Sequence, residues 1–183
     1  MGDVRDRPAA VRRRPVSPVT AAAVLIVVGL MVARIFLVEP FGIPSSSMAP
    51  TLLPGDQVLV DKVSSRASHP RRGDLVVFER PGDPDGPSLK RVVGLAGDKV
   101  EIRDGVLTVN DRAVRESYVD YARVDSVYFG PTRVARGQVF VFGDNRGNSR
   151  DSRQFGGVPE RYLLGRAVAR VWPPGRAGSL ASR

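Results

Sequence analysis

Cysteine is absent from the 183 residues, and histidine occurs once, at His69. The first absence excludes disulfide frameworks, thiol nucleophiles and cysteine-ligated zinc or iron–sulfur centres. The second excludes a multi-histidine metal site and leaves a Ser-His-Asp triad a single imidazole to be built on. Acid is also in short supply: 19 Asp and Glu stand against 28 Lys and Arg, a net charge of +9. Such an excess points to nucleic acid, anionic lipid or an acidic partner, and its distribution decides among them. The length allows one modest domain, or a small domain carrying an insertion.

The N-terminal charge is arranged in a definite order. Residues 1–15 carry Arg5, Arg7, Arg12, Arg13 and Arg14 against Asp3 and Asp6, a net +3, and nineteen uncharged residues, Pro15–Ala33, follow. After Arg34 the apolar character resumes through Leu37 and Val38 to Glu39. A helix of about 20 apolar residues crosses the hydrocarbon core of a bilayer, so a transmembrane anchor is expected over 16–38, with the Arg34 side chain reaching the headgroup layer. Arginines placed ahead of the span put residues 1–15 in the cytoplasm and the chain beyond Glu39 on the extracytoplasmic face of the cell membrane. A cleaved secretory signal fits less well, because the apolar core runs into Arg-Ile-Phe-Leu-Val-Glu-Pro instead of small residues. A buried soluble helix fits less well too, since no polar stripe recurs over Val19–Ala33. The remaining +5 is scattered over 35–183 without a basic stripe or reading helix, which removes nucleic acid as a partner.

Residues 39–172 read as a mainly β domain. Runs rich in β-branched residues recur at Gln57–Val60, Asp74–Glu79, Leu89–Leu95, Lys99–Arg103, Val106–Val109, Val139–Phe142 and Gly165–Trp172, separated by Gly, Pro and Asp. Asp104-Gly105 is a type I′ hairpin signal. Ser64–Arg72 and Arg80–Pro87 are expected as exposed loops. Arg112–Arg136 lacks a pattern and is expected within a small inserted β-subdomain over about 99–137. The Pro/Gly-rich stretch 173–183 is expected to fray.

Chemistry has to come from residues other than Cys and His. Phe41–Leu53, FGIPSSSMAPTLL, places three serines among apolar residues that a solvated linker would not need. A serine nucleophile requires a base, and Lys62, Lys90 and Lys99 are the candidates. Lys62 and Lys99 sit beside Asp61 and Asp98 near turns, where a solvated ammonium is the default. In Leu89–Gly94 a period of two puts Lys90 and Val92 on one face. Burial there would disfavour the charged amine and make a neutral base available. A strand lysine that snorkels to water fits the same pattern, so periodicity alone leaves both readings standing.

Five segments resemble, in order, the boxes of bacterial type I signal peptidases. They are Pro44-Ser45-Ser46-Ser47-Met48-Ala49-Pro50-Thr51-Leu52, Gly55–Lys62, Arg72–Phe78, Leu89-Lys90-Arg91-Val92-Val93-Gly94-Leu95-Ala96-Gly97-Asp98, and Gly143-Asp144-Asn145-Arg146-Gly147-Asn148-Ser149-Arg150-Asp151-Ser152-Arg153. The likeness extends through Val158-Pro159 and Gly165-Arg166-Ala167. It implies an antiparallel β-sheet catalytic domain of the signal-peptidase type, preceded by one transmembrane helix and carrying a reduced second β-subdomain. Ser46 stands where many members have glycine, and Ala96 where the turn usually has proline.

The resemblance also implies roles. Ser47 is the nucleophile and Lys90 the general base of a Ser-Lys dyad; Ser45, with the backbone N–H of Ser47, forms the oxyanion hole. Ser149 hydrogen-bonds and orients the lysine amine, and Asp144, Arg146, Asp151 and Arg153 form a polar network beneath the site. Exported preproteins are the partners, laid as a strand beside Glu39–Ile43. Ile43, Pro44, Met48, Leu52 and Leu89 line shallow pockets for Ala-like side chains at −1 and −3. Membrane lipid and a secretion translocon are further partners, and no metal or other cofactor is required. His69 is expected on an exposed loop and Trp172 in core or membrane-interface packing. Two other readings compete: a related Ser-Lys autoprotease of the SOS-repressor type, which needs a DNA-binding domain where this chain has an apolar run, and a membrane-tethered, non-catalytic β-domain that binds acidic polymer.

Overall fold

The computed structural model describes residues 17–63, 68–84, 86–121, 124 and 128–180, without the side chains of 21, 28 and 30–36. The basic tail 1–15 and parts of the expected 64–72 and 112–136 stretches lie outside the described residues. Two units are distinct, 1–36 and 37–183.

In the first unit α1 (Pro18–Leu37) is a 20-residue helix. Its side chains at Val19, Val24, Leu25, Ile26 and Val27 are apolar and exposed. Among the described residues, no helix is long and apolar enough to cross a membrane. The anchor expected over 16–38 therefore stays an expectation.

The second unit is mainly β. β1 (Val38–Gly42), β2 (Gln57–Asp61), β3 (Leu75–Phe78), β4 (Ser88–Gly94), β9 (Gln138–Phe142), β10 (Val158–Pro159) and β11 (Leu163–Trp172) form one antiparallel sheet in the order β1-β2-β11-β3-β4-β9-β10, and β12 (Gly178–Ser179) adds to β11. β5 (Lys99–Arg103), β6 (Val106–Val109), β7 (Arg112–Ala113) and β8 (Phe129–Arg133) form a second sheet in the order β7-β6-β5-β8. Asp104 and Gly105 both have positive φ, 48° and 77°, as a type I′ turn between β5 and β6 requires.

The β-branched runs became strands with apolar surface to bury, on alternate residues in β2 and β6 and on both faces in β3, β4 and β9. β4 shows this best: from Leu89 to Gly94 every residue is buried. Leu89 packs with Ile43, Met48, Leu52 and Val77, while Val92 packs with Val76, Val139 and Val141. Val93 joins Val100, Ile102, Phe140 and Phe142 where strands of the two sheets pack together. Burial of this kind stabilises by about 25 cal/mol per Å² of apolar surface.

Residues 173–180 do not fray as expected. Pro174–Arg176 forms a 3₁₀ turn, and Gly178 and Ser179 pair with Arg170 and Ala169 of β11. Arg176 Nη1 donates to the buried carboxylate of Asp56 at 3.0 Å, which fastens the segment from within. His69 is exposed as expected and lies 3.1 Å from Glu160 Oε2. Trp172 is 54% exposed, so core packing does not account for it.

Candidate active site

The chain leaves β1 at Gly42, passes Ser45 in extended conformation, and enters a single 3₁₀ turn, Ser46–Met48. Met48 is buried in the core beneath and holds the turn down, so Ser47 faces the opposite way. Lys90 comes from the centre of the larger sheet, paired across to Val76 of β3. Its amine Nζ donates to Ser47 Oγ at 2.7 Å, and Ser45 Oγ donates to the same oxygen at 3.2 Å. Ser47, Lys90 and Ser45, the residues singled out by the motif resemblance, thus meet at one atom.

Lys90 is 5% exposed. Burial holds its amine below the ordinary lysine value, against the opposing pull of the Asp151 and Asp144 carboxylates. Lys62, by contrast, pairs with exposed Glu39, and Lys99 with Asp111. Of the three candidate lysines, Lys90 is the buried one that touches a serine.

The loop after β9 supports this meeting point from the side. Asn145 N donates to Ser47 O at 3.1 Å and Asn145 Nδ2 to Ser46 O at 3.1 Å; Asn148 Nδ2 donates to Ser46 Oγ at 3.0 Å. Neither asparagine was expected in the site. Asn in a loop is an unspecific signal, and only the tertiary approach of the two loops gives these amides their partners.

Of the four charged residues expected to form a polar network, Arg146, Asp151 and Arg153 are linked, with Arg153 Nη2 donating to Arg146 O at 2.8 Å, while Asp144 finds its partners elsewhere. Asp144 pairs with Arg91, Nε to Oδ1 at 2.8 Å and Nη2 to Oδ2 at 2.7 Å, and accepts from Thr51 Oγ1 at 2.6 Å. Burial opposes the charge on Arg91, but the Asp144 hydrogen bond and Coulombic attraction outweigh it and raise the pKa of the guanidinium. Asp151 pairs with Arg153 and accepts from Gly143 N at 3.0 Å. Arg146 reaches Glu116 at 2.5 Å, thirty residues upstream in the stretch without a pattern. Arg91 and Glu116 are thus the partners that sequence reasoning missed.

Two further placements differ from expectation. Ser149 Oγ has no hydrogen-bond partner among the described residues, so the expected bond to Lys90 is not formed. The Lys90 amine is turned to Ser47 instead, and Ser149 packs into the space left by the missing side chain of Gly143. Leu52 is fully buried in the core beneath the turn and does not reach the surface. A cleft of about 450 Å³ opens beside Ser47 and Lys90, and Ile43, Pro44, Met48 and Leu89 line it together with Phe41, Ser88 and Phe155. Among the described residues, no group of three or more His, Cys, Asp or Glu side chains is placed to hold a metal ion.

Such a site can do acyl-transfer chemistry: a hydroxyl beside a buried amine, donors nearby, and a cleft flanked by the edge strand β1. Comparison with known proteins agrees. The family described as signal peptidase, peptidase S26, matches residues 16–172. A "Probable signal peptidase I-2" of Synechocystis sp. is 41% identical over 86% of this chain and 72% of its own length. A signal peptidase I of Leptolyngbya laminosa is 37% identical over 95% of this chain and 90% of its own. The crystal structure of a signal peptidase I from Enterococcus faecalis V583 aligns at 31% identity and a TM-score of 0.48, over 54% of this chain and 97% of that one.

Proposed function

The chain belongs to the signal peptidase family, peptidase S26, and on that premise we propose that it removes signal peptides from exported preproteins with Ser47 as nucleophile and Lys90 as general base. The observation that carries the proposal is the 2.7 Å approach of a buried lysine amine to a serine hydroxyl. A desolvated amine is uncharged over a wider pH range than a solvated one, and only the uncharged form can accept a proton.

In the resting site the lysine donates to the serine. For reaction the amine is neutral, and its lone pair takes the hydroxyl proton as Ser47 Oγ bonds to the carbonyl carbon of the scissile peptide. Negative charge that develops on the carbonyl oxygen meets the Ser47 N–H and the Ser45 hydroxyl. Collapse expels the amine of the mature protein, protonated from Lys90, and leaves the signal peptide acylated on Ser47. The same amine then deprotonates a water molecule that releases the acyl group. The Ser149 hydroxyl, without a hydrogen-bond partner among the described residues, orients the lysine during these transfers.

The substrate lies as a strand along β1, which among the described residues pairs only with β2 and so offers an open edge. Ile43, Met48 and Leu89 bound the apolar part of the cleft and favour small side chains at −1 and −3. The uncharged run Pro15–Ala33, behind five arginines, supports a single-pass tether with this unit on the extracytoplasmic face, close to lipid and to the translocon.

Detergent-solubilised full-length protein, incubated with a preprotein bearing an Ala-x-Ala site, tests the assignment. Wild type is expected to cleave after the second alanine and Ser47→Ala to leave the preprotein intact. Equal processing by both, or by neither, overturns it, the latter in favour of a non-catalytic tethered domain.

A further inference from the structure

The Glu116–Arg146 ion pair is not used by the chemistry above, yet it is among the most deeply buried charges described: Arg146 and Glu116 side chains are 1% and 0% exposed. The contact is single-pronged, Nη2 to Oε1. Arg146 Nη1 and Glu116 Oε2 have no hydrogen-bond partner among the described residues. A pair of this kind gives little net stability, because desolvation of the two charges offsets their attraction, and apolar side chains would fill the space as well. What it provides is a fixed geometry.

That geometry leads to the nucleophile. Arg146 Nε donates to Gly143 O at 3.0 Å, closing the loop in which Asn145 holds the carbonyls of Ser46 and Ser47. Tyr118, two residues beyond Glu116, donates its hydroxyl to Glu116 Oε1 at 2.8 Å, and its ring lies 3.8 Å beneath the Arg91 guanidinium. One short segment therefore grips both arginines that flank the dyad, one in the loop beside Ser47 and one next to Lys90 in the strand.

We infer that Glu116 is a positioning residue: through Arg146 it holds the Gly143–Ser149 loop against the Ser46–Ser47 turn and so sets the approach of Ser47 Oγ to Lys90 Nζ. This rests on Ser47 and Lys90 being the reacting pair. A buried unpaired Arg146 would pull the loop toward other carboxylates, and a displacement of about 1 Å at a reacting atom costs on the order of 100-fold in rate. The cleft lining is contributed by other residues, so substrate affinity should stay.

Steady-state cleavage of a peptide bearing an Ala-x-Ala site by full-length wild type, Ser47→Ala and Glu116→Gln decides the matter, with circular dichroism as the check on folding. The expected result is that Ser47→Ala is inactive, and that folded Glu116→Gln loses at least tenfold in kcat with KM within twofold of wild type. If Glu116→Gln does not fold, the paired change Glu116→Leu with Arg146→Met, which removes both charges, is expected to fold and show the same split. Unchanged kcat, a loss confined to KM, or failure of both variants to fold overturns the positioning role. Residual cleavage by Ser47→Ala overturns the dyad itself, independently of how Glu116→Gln behaves.

Discussion

Arg91 and Asp144 meet in a two-pronged, buried ion pair one residue along the strand from Lys90. Because Asp144 also accepts from Thr51, this one carboxylate joins the strand of Lys90, the loop after β9 and the chain that follows the Ser46–Met48 turn.

Replacing Arg91 with methionine leaves Asp144 buried without its countercharge. The expected loss is about 3–5 kcal/mol of unfolding free energy, read as a lower urea midpoint. Replacing both, Arg91→Met with Asp144→Leu, should recover most of that loss, since no lone charge remains. A single variant as stable as wild type would contradict the account.

Activity should rise with pH along an acid limb set by Lys90. Burial places its pKa below the ordinary lysine value, and the Asp151 and Asp144 carboxylates oppose that shift. Asp151→Asn removes one opposing charge, so the midpoint of the limb in kcat/KM is expected at lower pH than in wild type. Lys90→Arg retains a cation but not a proton acceptor, because a guanidinium stays charged, and cleavage should be lost at every pH.

Lys90 also links pH to stability. Its folded pKa lies below the unfolded value, so between the two the unfolded chain binds more protons and stability rises with pH. The penalty for burying the amine is present in full below the folded pKa and disappears as pH passes the unfolded value of about 10.4. Denaturant midpoints of wild type and Lys90→Met, compared at neutral and strongly alkaline pH, should therefore converge as pH rises. A gap independent of pH would show that the lysine titrates alike in both states.

Gly143 is required by space. A Cβ there would come within 2.2 Å of Ser149 Oγ and 2.5 Å of Ser47 O. Gly143→Ala is expected to push the two loops apart and to lower kcat about 100-fold, while circular dichroism of the β-unit stays unchanged. Activity near wild type would mean that the turn and loop move together.

The strands were legible where β-branched residues cluster, as in β3, β4 and β9, because burial on both faces and β propensity favour the same conformation. β1 was not, since Val38–Gly42 straddles the end of the apolar run at Glu39 and contains Pro40 and Gly42; its pairing with β2 makes it a strand. Phe129–Arg133, with Gly130 and Pro131 inside, likewise owes its conformation to β5. In the site, Ser45, Ser47 and Lys90 stood out through resemblance; period two left the direction of Lys90 open, because Leu89–Gly94 is buried on both faces and alternation carries no signal there. Glu116 could not be found that way. A carboxylate among mixed charges reads as solvated, and only the return of Arg146 from thirty residues away makes it a core residue. Leu52 failed for the opposite reason: an apolar residue near a serine suits a pocket wall and a core equally, and the depth of the 3₁₀ turn decided it.

The burial of β4 on both faces has a kinetic consequence. Amide exchange at Lys90 should await global unfolding, whereas exchange at Ser47, on a single three-residue turn after β1, is expected to proceed through local opening. Ser47 and Lys90, though in contact, thus sit on different rungs of the opening ladder. Hydrogen–deuterium exchange followed on warming is therefore expected to reach the Ser47 amide before the Lys90 amide.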